Sequence, residues 1–396
     1  MSDSEAYDPR TPPDDPWNAL AALRREAAVA HFDPLGADDP GIDVVLRHEA
    51  CRQAFLDTDS LSSRYNVKPD GDYSIVSSDP PEHTRQRKIL NRTFPPERVE
   101  ALHPRITEVV DELIDAFPES GPVEFMSAFG FHLPVIVLAE LLGVPELDRQ
   151  RFKEWSDEQL SQSLGGGTSE QAREFKQWAL EQVRARRNVA APADDLISAL
   201  ALAEDEDGLL DEWEAASTLV LLVVAGHETT TNALGNTARH LFGDCAARER
   251  VVQAPSVIPS VVEEALRFDP PVTALPRRAT CPVHLDDSEI DEGRIALLHM
   301  GAANRDPAVF DNPDGFQVDR YMPDRPRRGH FAFGYGPHLC IGAPLARAEI
   351  RIALERLVAR LTDLHVVEDQ TIEQIPAYVF RGPQQLLLDY ERKDRP

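Results

Sequence analysis

The chain has 396 residues, 42% of them hydrophobic, enough for a substantial core, and its 68 Asp and Glu against 41 Lys and Arg give a formal charge of −27. That excess of anions argues against a general affinity for nucleic acid or an anionic membrane, since phosphate binding is driven by clustered cations. The cysteines, Cys51, Cys245, Cys281 and Cys340, are far apart with no C-x-x-C pair, so neither a zinc knuckle nor a disulfide framework is expected, and a reduced cytoplasmic setting fits.

Residues 1–16 are acidic and proline-rich, the opposite of a basic-then-apolar signal or anchor, and read as a flexible segment. Periodicity then predicts a helix over 17–30, a short strand near 42–46, and a mainly helical stretch over 95–142 punctuated by Pro104, Pro118, Pro122 and Pro134. Two helices are expected at 149–163 and 169–189, joined by Gly165-Gly166-Gly167. A long helix is expected over 211–242, and a further helical block ends at Phe268-Asp269-Pro270-Pro271. Short strands fit 282–298 and 386–390. No repeat and no Gly/Ser-rich or charged linker divides the chain, so 17–396 reads as a single unit, mainly α with a small β-rich portion. The strongly apolar run from Leu219 to Gly226 is far short of the roughly 20 residues that a membrane span needs, so a soluble protein is expected.

Cys340 lies in the run Phe333-Gly334-Tyr335-Gly336-Pro337-His338-Leu339-Cys340-Ile341-Gly342-Ala343-Pro344-Leu345-Ala346-Arg347. Glycines placed around one cysteine describe a loop held tightly against something flat, because glycine lets backbone amides approach closely. Pro344 suits the first turn of a helix that continues to Leu361. A thiol at a helix N-terminus is biased toward thiolate, which serves a nucleophile or a metal ligand. His338, two residues away on the same turn, is poorly placed as a separate base for a nucleophile, and a plain core cysteine is the third reading.

This string resembles the haem-binding loop of the cytochrome P-450 family, whose pattern Phe-Gly-x-Gly-x-His/Arg-x-Cys-x-Gly is met by Phe333, Gly334, Gly336, His338, Cys340 and Gly342. The resemblance implies the cytochrome P-450 fold and haem b. It makes Cys340 the axial thiolate of the iron, with Phe333, Gly334 and Gly342 shaping the cofactor loop.

Ala225-Gly226-His227-Glu228-Thr229 follows an apolar stretch, where a polar cluster is costly if buried without partners, so by itself it reads as a solvent-facing patch. Gly226 beside hydroxyls that can bond the preceding turn's carbonyls predicts a locally opened helix. The segment resembles the family's Ala/Gly-Gly-x-Asp/Glu-Thr signature, which implies Ala225 against the haem and Glu228 with Thr229 as an acid–alcohol pair delivering protons to dioxygen. Glu264 and Arg267 form an i,i+3 pair, ordinarily a solvated ion pair of little worth. The pair matches the family's Glu-x-x-Arg element, and Arg320 supplies the third partner, implying a structural lock. His83 and Arg87 are four apart, hence on one helix face. The resemblance implies that His83, Arg87, Arg277 and His338 hold the haem propionates, with Arg278 competing for Arg277's place.

The resemblance spans residues 17 to 391 in consistent order. It implies a bacterial-type monooxygenase that inserts one atom of dioxygen into an apolar small molecule and acts as a monomer. Ferredoxin and ferredoxin reductase would supply the electrons. A pocket is implied at Leu222, Val223, Val272, Thr273 and Val379, within the segments 62–76, 272–275 and 378–380 and the long helix. Arg85, Lys88, Arg92, Arg325, Arg327, Arg328 and Arg351 would form the ferredoxin-docking face, and Gly165-Gly166-Gly167 a lid hinge. The rivals are a haem-thiolate sensor or carrier without turnover, and a peroxide-driven relative, which has no need of the acid–alcohol pair.

Overall fold

Stretches with apolar residues at helical spacing close into helices, and the shorter β-branched runs pair beside them. The computed structural model describes residues 7–36, 39–65, 74–144, 151, 155, 170–191, 193–205, 208–325, 329–377 and 379–393. Its helices are α1 (Trp17–Glu26), α2 (His48–Leu56), α3 (Glu82–Thr93), α4 (Pro96–Asp115), α5 (His132–Leu142) and α6 (Glu170–Arg187). They continue with α7 (Leu196–Ala201), α8 (Glu212–Gly243), α9 (Cys245–Gln253), α10 (Ile258–Phe268), α11 (Met300–Ala303) and α12 (Ala343–Arg360). The strands are β1 (Val29–Phe32), β2 (Ile42–Val45), β3 (Leu61–Ser62), β4 (Val123–Glu124), β5 (Glu204–Asp205) and β6 (Gly208–Leu209). After them come β7 (Leu275–Ala279), β8 (Val283–Leu285), β9 (Ser288–Ile290), β10 (Ile295–Leu298), β11 (Leu361–Val366) and β12 (Leu387–Arg392). A five-stranded sheet runs in the order β1-β2-β10-β7-β3, with β2 and β10 parallel and the other pairs antiparallel. β11, β12 and β4 make a second sheet. The fold is mainly α with a small β-rich portion, as expected.

Helix α8 is the axis of the helical layer. The Asp211 carboxylate caps it by accepting from the Trp213 N–H at 2.9 Å, and Glu212 and Glu214 in its first turn oppose the helix dipole. Every residue from Thr230 to Ala238 is buried, the mark of a helix enclosed on all sides. α5, α6, α10 and α12 pack against it, and α12 also lies along α4. This places the start of α12, and the loop before it, beside the central helix.

Three expectations are corrected. The helix is not opened at Gly226: α8 keeps its α pattern through the segment, because the Thr229 and Thr230 hydroxyls bond back to the carbonyls of Ala225 and Gly226 without displacing the ladder. Pro104 lies inside α4 instead of punctuating it. The carbonyl that loses its partner belongs to the exposed Glu100, where water can serve it. The stretch expected to be flexible is seated from residue 7 onward: Tyr7 is buried edge-on against Phe32, Arg10 donates to the Asp33 carbonyl, and the Asp14 carbonyl accepts from Arg381. The helix expected over 169–189 runs from Glu170 to Arg187. Gly165-Gly166-Gly167 and nearly all of 149–163 lie outside the described residues.

Candidate active site

The loop carrying Cys340 is fixed at both ends. The Asn304 side-chain carbonyl accepts from the Phe331 N–H at 2.7 Å, and the Phe333 carbonyl accepts from the Cys340 N–H at 2.9 Å. Gly334 and Gly336 both adopt φ of +70°, and a Cβ on Gly336 would stand 3.0 Å from the Phe55 carbonyl of α2, so only glycine fits that turn. Arg347, in the first turns of α12, lies over the Phe333 ring and bonds Glu263 of α10 through two nitrogens.

Cys340 is exposed. The surrounding protein pushes its thiol up, while the N–H groups of Gly342 and Ala343 and the charges of Arg87 and Arg347 pull it down, the upward push prevailing. The bias toward thiolate expected from the helix N-terminus is therefore outweighed in the protein chain taken alone. Beside the sulfur there is room: a Cβ added to Gly342 would meet only the Cys340 sulfur, at 3.8 Å.

On α8, Ala225 is exposed although it sits mid-helix in the core, and Thr229, one turn on, is half-buried with its hydroxyl donating to the Ala225 carbonyl at 2.6 Å. The Glu228 carboxylate is half-buried and lies 3.5 Å from the Asn232 amide nitrogen, which donates to it. Leu222 shares this face, one turn before Ala225. Val223 does not. It is 0% exposed in the main hydrophobic core, because its position on the helix turns it away from Ala225, and it is removed from the expected pocket. Val272 and Val379 are half-buried, whereas Thr273 is buried, its N–H and hydroxyl both donating to the Val379 carbonyl. Tyr378 and residues 66–73 lie outside the described residues. A cavity of about 560 Å³ bounded by Tyr7, Pro12, Thr273, His299 and Phe380 is lined by neither Cys340 nor Thr229.

A cluster of cationic side chains flanks the cysteine loop. The rings of His83 and His338 lie 4.0 Å apart, and Arg87 donates to the Leu339 carbonyl at 2.6 Å. Of the competing arginines on β7, Arg278 is turned to the carbonyls of Gly293 and Tyr65, and Arg277 is buried near His83 and His338. Burial draws Arg277 down to about 10. Burial, then Arg277, His83 and Arg87, draw His338 down to about 3. His83, 2% exposed, has a ring nitrogen with no partner, and the carboxylate acting on it and on Arg277 is that of Asp79. An exposed cysteine with glycine-sized clearance, and a buried guanidinium beside imidazoles of which one nitrogen has no partner, fit a flat iron-bearing macrocycle with carboxylate arms.

Behind the loop, Glu264 accepts two bonds from Arg267, at 2.7 and 2.8 Å, and one from Arg320 at 2.9 Å. Arg267 also donates to the carbonyls of Asn304, Pro313 and Gly315. The expected basic face is thinner than its sequence suggested. Arg85 is paired with Glu82 and Glu214, Arg351 with Glu355, and Arg92 donates to the Glu204 carbonyl. Arg327 and Arg328 lie outside the described residues. Sequence reasoning missed Asp79 and Ser63 as parts of the cationic cluster, and Asn304 as an anchor of the loop, because each acts through a backbone or ring contact that no local pattern encodes.

The Cytochrome P450 family model matches residues 160–387. Mycinamicin IV hydroxylase/epoxidase of Micromonospora griseorubida is 38% identical over 322 residues, covering 79% of this chain and 78% of that protein. Vitamin D(3) 25-hydroxylase of Pseudonocardia autotrophica is 35% identical over 360 residues, covering 88% and 87%. Among solved structures, cytochrome P450 CYP109Q5 from Chondromyces apiculatus superposes with a TM-score of 0.87 at 33% identity, over 98% of both chains. The chain belongs to the cytochrome P-450 family, and it is a monooxygenase that uses haem and dioxygen. No described helix is long and apolar enough to cross a membrane.

Proposed function

We propose that the protein holds haem b through Cys340 and hydroxylates or epoxidises an apolar small molecule, with electrons from a ferredoxin and its reductase. The observation that carries the reading is the exposed Cys340 beside the buried Arg277 guanidinium and the His83 and His338 rings, with a His83 nitrogen unpartnered and Asp79 the carboxylate acting on His83 and Arg277. His83, Arg87, Arg277 and His338 would hold the propionates, and Ala225 and Gly342 leave room for the ring on either side. When bound, the haem supplies the iron-centred chemistry that divides dioxygen between product and water. The chain's part is proton handling and exclusion of water. The Thr229 hydroxyl, now donating to the Ala225 carbonyl, needs only a rotation about one bond to present its hydrogen to the cleft, and Glu228 on the same helix can hold the proton that replaces it.

Leu222, Val272 and Val379 present aliphatic surface, so the substrate proposed is a bulky, largely apolar molecule, as the relatives named for hydroxylating mycinamicin IV and vitamin D(3) suggest. This places the enzyme in secondary metabolism. Exposed Lys88 and Arg325 would contribute to the ferredoxin surface. The test is oxygen consumption with ferredoxin and reductase across a library of macrolides and sterol-like compounds. Substrate-dependent consumption with an oxygenated product is expected. Spectral binding without consumption would make the protein a sensor or carrier, and turnover on peroxide alone a peroxygenase.

A further inference from the structure

The ring of His338 is oriented from outside its own loop. Strand β3 pairs with β7, Leu61 opposite Ala279 and Ser62 opposite Arg278, which delivers Ser62 and Ser63 to the cationic cluster. There the Asp79 carboxylate, just before α3, accepts from the Ser62 hydroxyl at 2.5 Å and from the Ser63 N–H at 2.8 Å. The backbone of Ser63 is thus clamped, and its hydroxyl, on a residue 1% exposed, stands 3.0 Å from Nε2 of His338. On its face the same ring meets His83. A half-buried imidazole with one hydrogen-bond partner and one tilted ring neighbour 4.0 Å away has its plane set by those two contacts. Asp79 has a second effect: its charge acts on both His83 and Arg277, offsetting part of the repulsion among the cations.

We propose that Asp79 and Ser63 are positioning residues of the cofactor cradle. The Ser63 hydroxyl sets the orientation of the His338 imidazole toward the propionate, and Asp79 holds Ser63 in place while supplying a negative charge next to the cations. This rests on the reading that His83, Arg87, Arg277 and His338 meet the propionates. The geometry ties three segments distant in sequence, 62–63, 79 and 338, into one chain of contacts. Partners that orient a cofactor's ligands act on its affinity and electronics without touching the reacting atoms.

The test uses the haem-loaded enzyme and the variants Ser63→Ala, Asp79→Asn and the double variant, with His338→Ala as reference. Ser63→Ala removes one atom and should speed haem transfer to a haem-free acceptor protein by roughly fivefold, the factor of a lost buried hydrogen bond, and shift the propionate bending band in the resonance Raman spectrum. Asp79→Asn should do the same and also raise the haem reduction potential, because removing a nearby negative charge favours the reduced, more negative state. The double variant should lose haem no faster than Asp79→Asn alone, since both act along one chain of contacts. Unchanged haem loss, propionate band and potential in Ser63→Ala and Asp79→Asn, with His338→Ala altering them, would overturn this proposal and leave the propionate reading standing. No change in His338→Ala either would overturn the propionate reading itself.

Discussion

At Glu264 the charges of Arg267 and Arg320 converge on one carboxylate, and the remaining guanidinium hydrogens reach the carbonyls of Asn304, Pro313 and Gly315. Around His338 like groups face one another: burial first, then Arg277, His83 and Arg87, push the ring toward neutrality, and a His83 nitrogen is left without a partner. Both clusters lie next to the cysteine loop. One is satisfied by the chain alone, as a structural lock must be. The other, on the function proposed above, would be completed by the propionates, since an unpartnered buried polar group is costly.

If the first cluster is a finished lock, breaking it should be the most damaging change in the molecule. Arg267, 0% exposed, leaves Glu264 a buried, under-partnered charge when replaced. Arg267→Ala should therefore cost about 3–5 kcal/mol, a large share of a typical folding free energy, and urea denaturation should show it together with a collapse in recoverable haem-loaded protein. Cys340→Ser, at the heart of the second region, should behave oppositely. The folded chain should survive, with a denaturation midpoint close to the parent's, while the strongly red-shifted band of the reduced carbon-monoxide complex disappears. Persistence of that band would remove Cys340 as the ligand.

A smaller effect is expected where the site meets its chemistry. Thr229→Ala should leave haem binding intact but lower product per reductant by on the order of 10²-fold, the low end of acid–base contributions, with hydrogen peroxide made instead. Glu228→Gln should slow turnover as a whole. Oxygen, reductant and product measured together separate the two outcomes, and full coupling in Thr229→Ala would defeat the proton role.

The smallest change sharpens the contrast from the side of an anion. Glu349 of α12 is buried with one carboxylate oxygen unpartnered, and burial raises its carboxyl to about 8 from an ordinary 4.5. Between those values the folded chain holds a proton that the unfolded chain has released, so stability falls as pH rises from about 4.5 to about 8. Glu349→Gln should flatten that decline and stabilise the protein by roughly 1–2 kcal/mol at pH 8, with no gain at pH 4. Parallel melting curves for parent and variant across that range would show a hidden cationic partner.

Much of the site could be read from the residues themselves. The loop at Phe333–Gly342 is local, its glycines and cysteine acting at fixed short spacing, and the Glu264–Arg267 pair lies on one helix face. Long helices such as α8 and α12 followed from apolar periodicity, within a residue or so at their ends. Val223 was misplaced because it adjoins Leu222 in sequence, and on a helix neighbouring residues point about a quarter turn apart. Arg85 was placed on the docking face although Glu82, one turn away, pairs with it, and its second partner, Glu214, stands 129 residues away on α8. The thiol of Cys340 read as activated because a helix N-terminus is visible in sequence, whereas the burial that opposes it is not.

What the sequence determined by itself was the chemistry available: a cysteine in a glycine-rich turn, an acid beside an alcohol on a long helix, and cations at helical spacing. Those signals are local, carried by residues a few positions apart whose relative placement a single turn or helix already fixes. The tertiary structure decided which charges are partnered within the chain and which lie beside the cysteine loop with few partners. It closed Glu264 on Arg267 and Arg320, chose Arg277 over Arg278, and brought Ser63 and Asp79 to His338. The reason is physical: whether a buried charge is costly or useful depends on every partner within a few ångströms, and most of those partners arrive from distant parts of the chain.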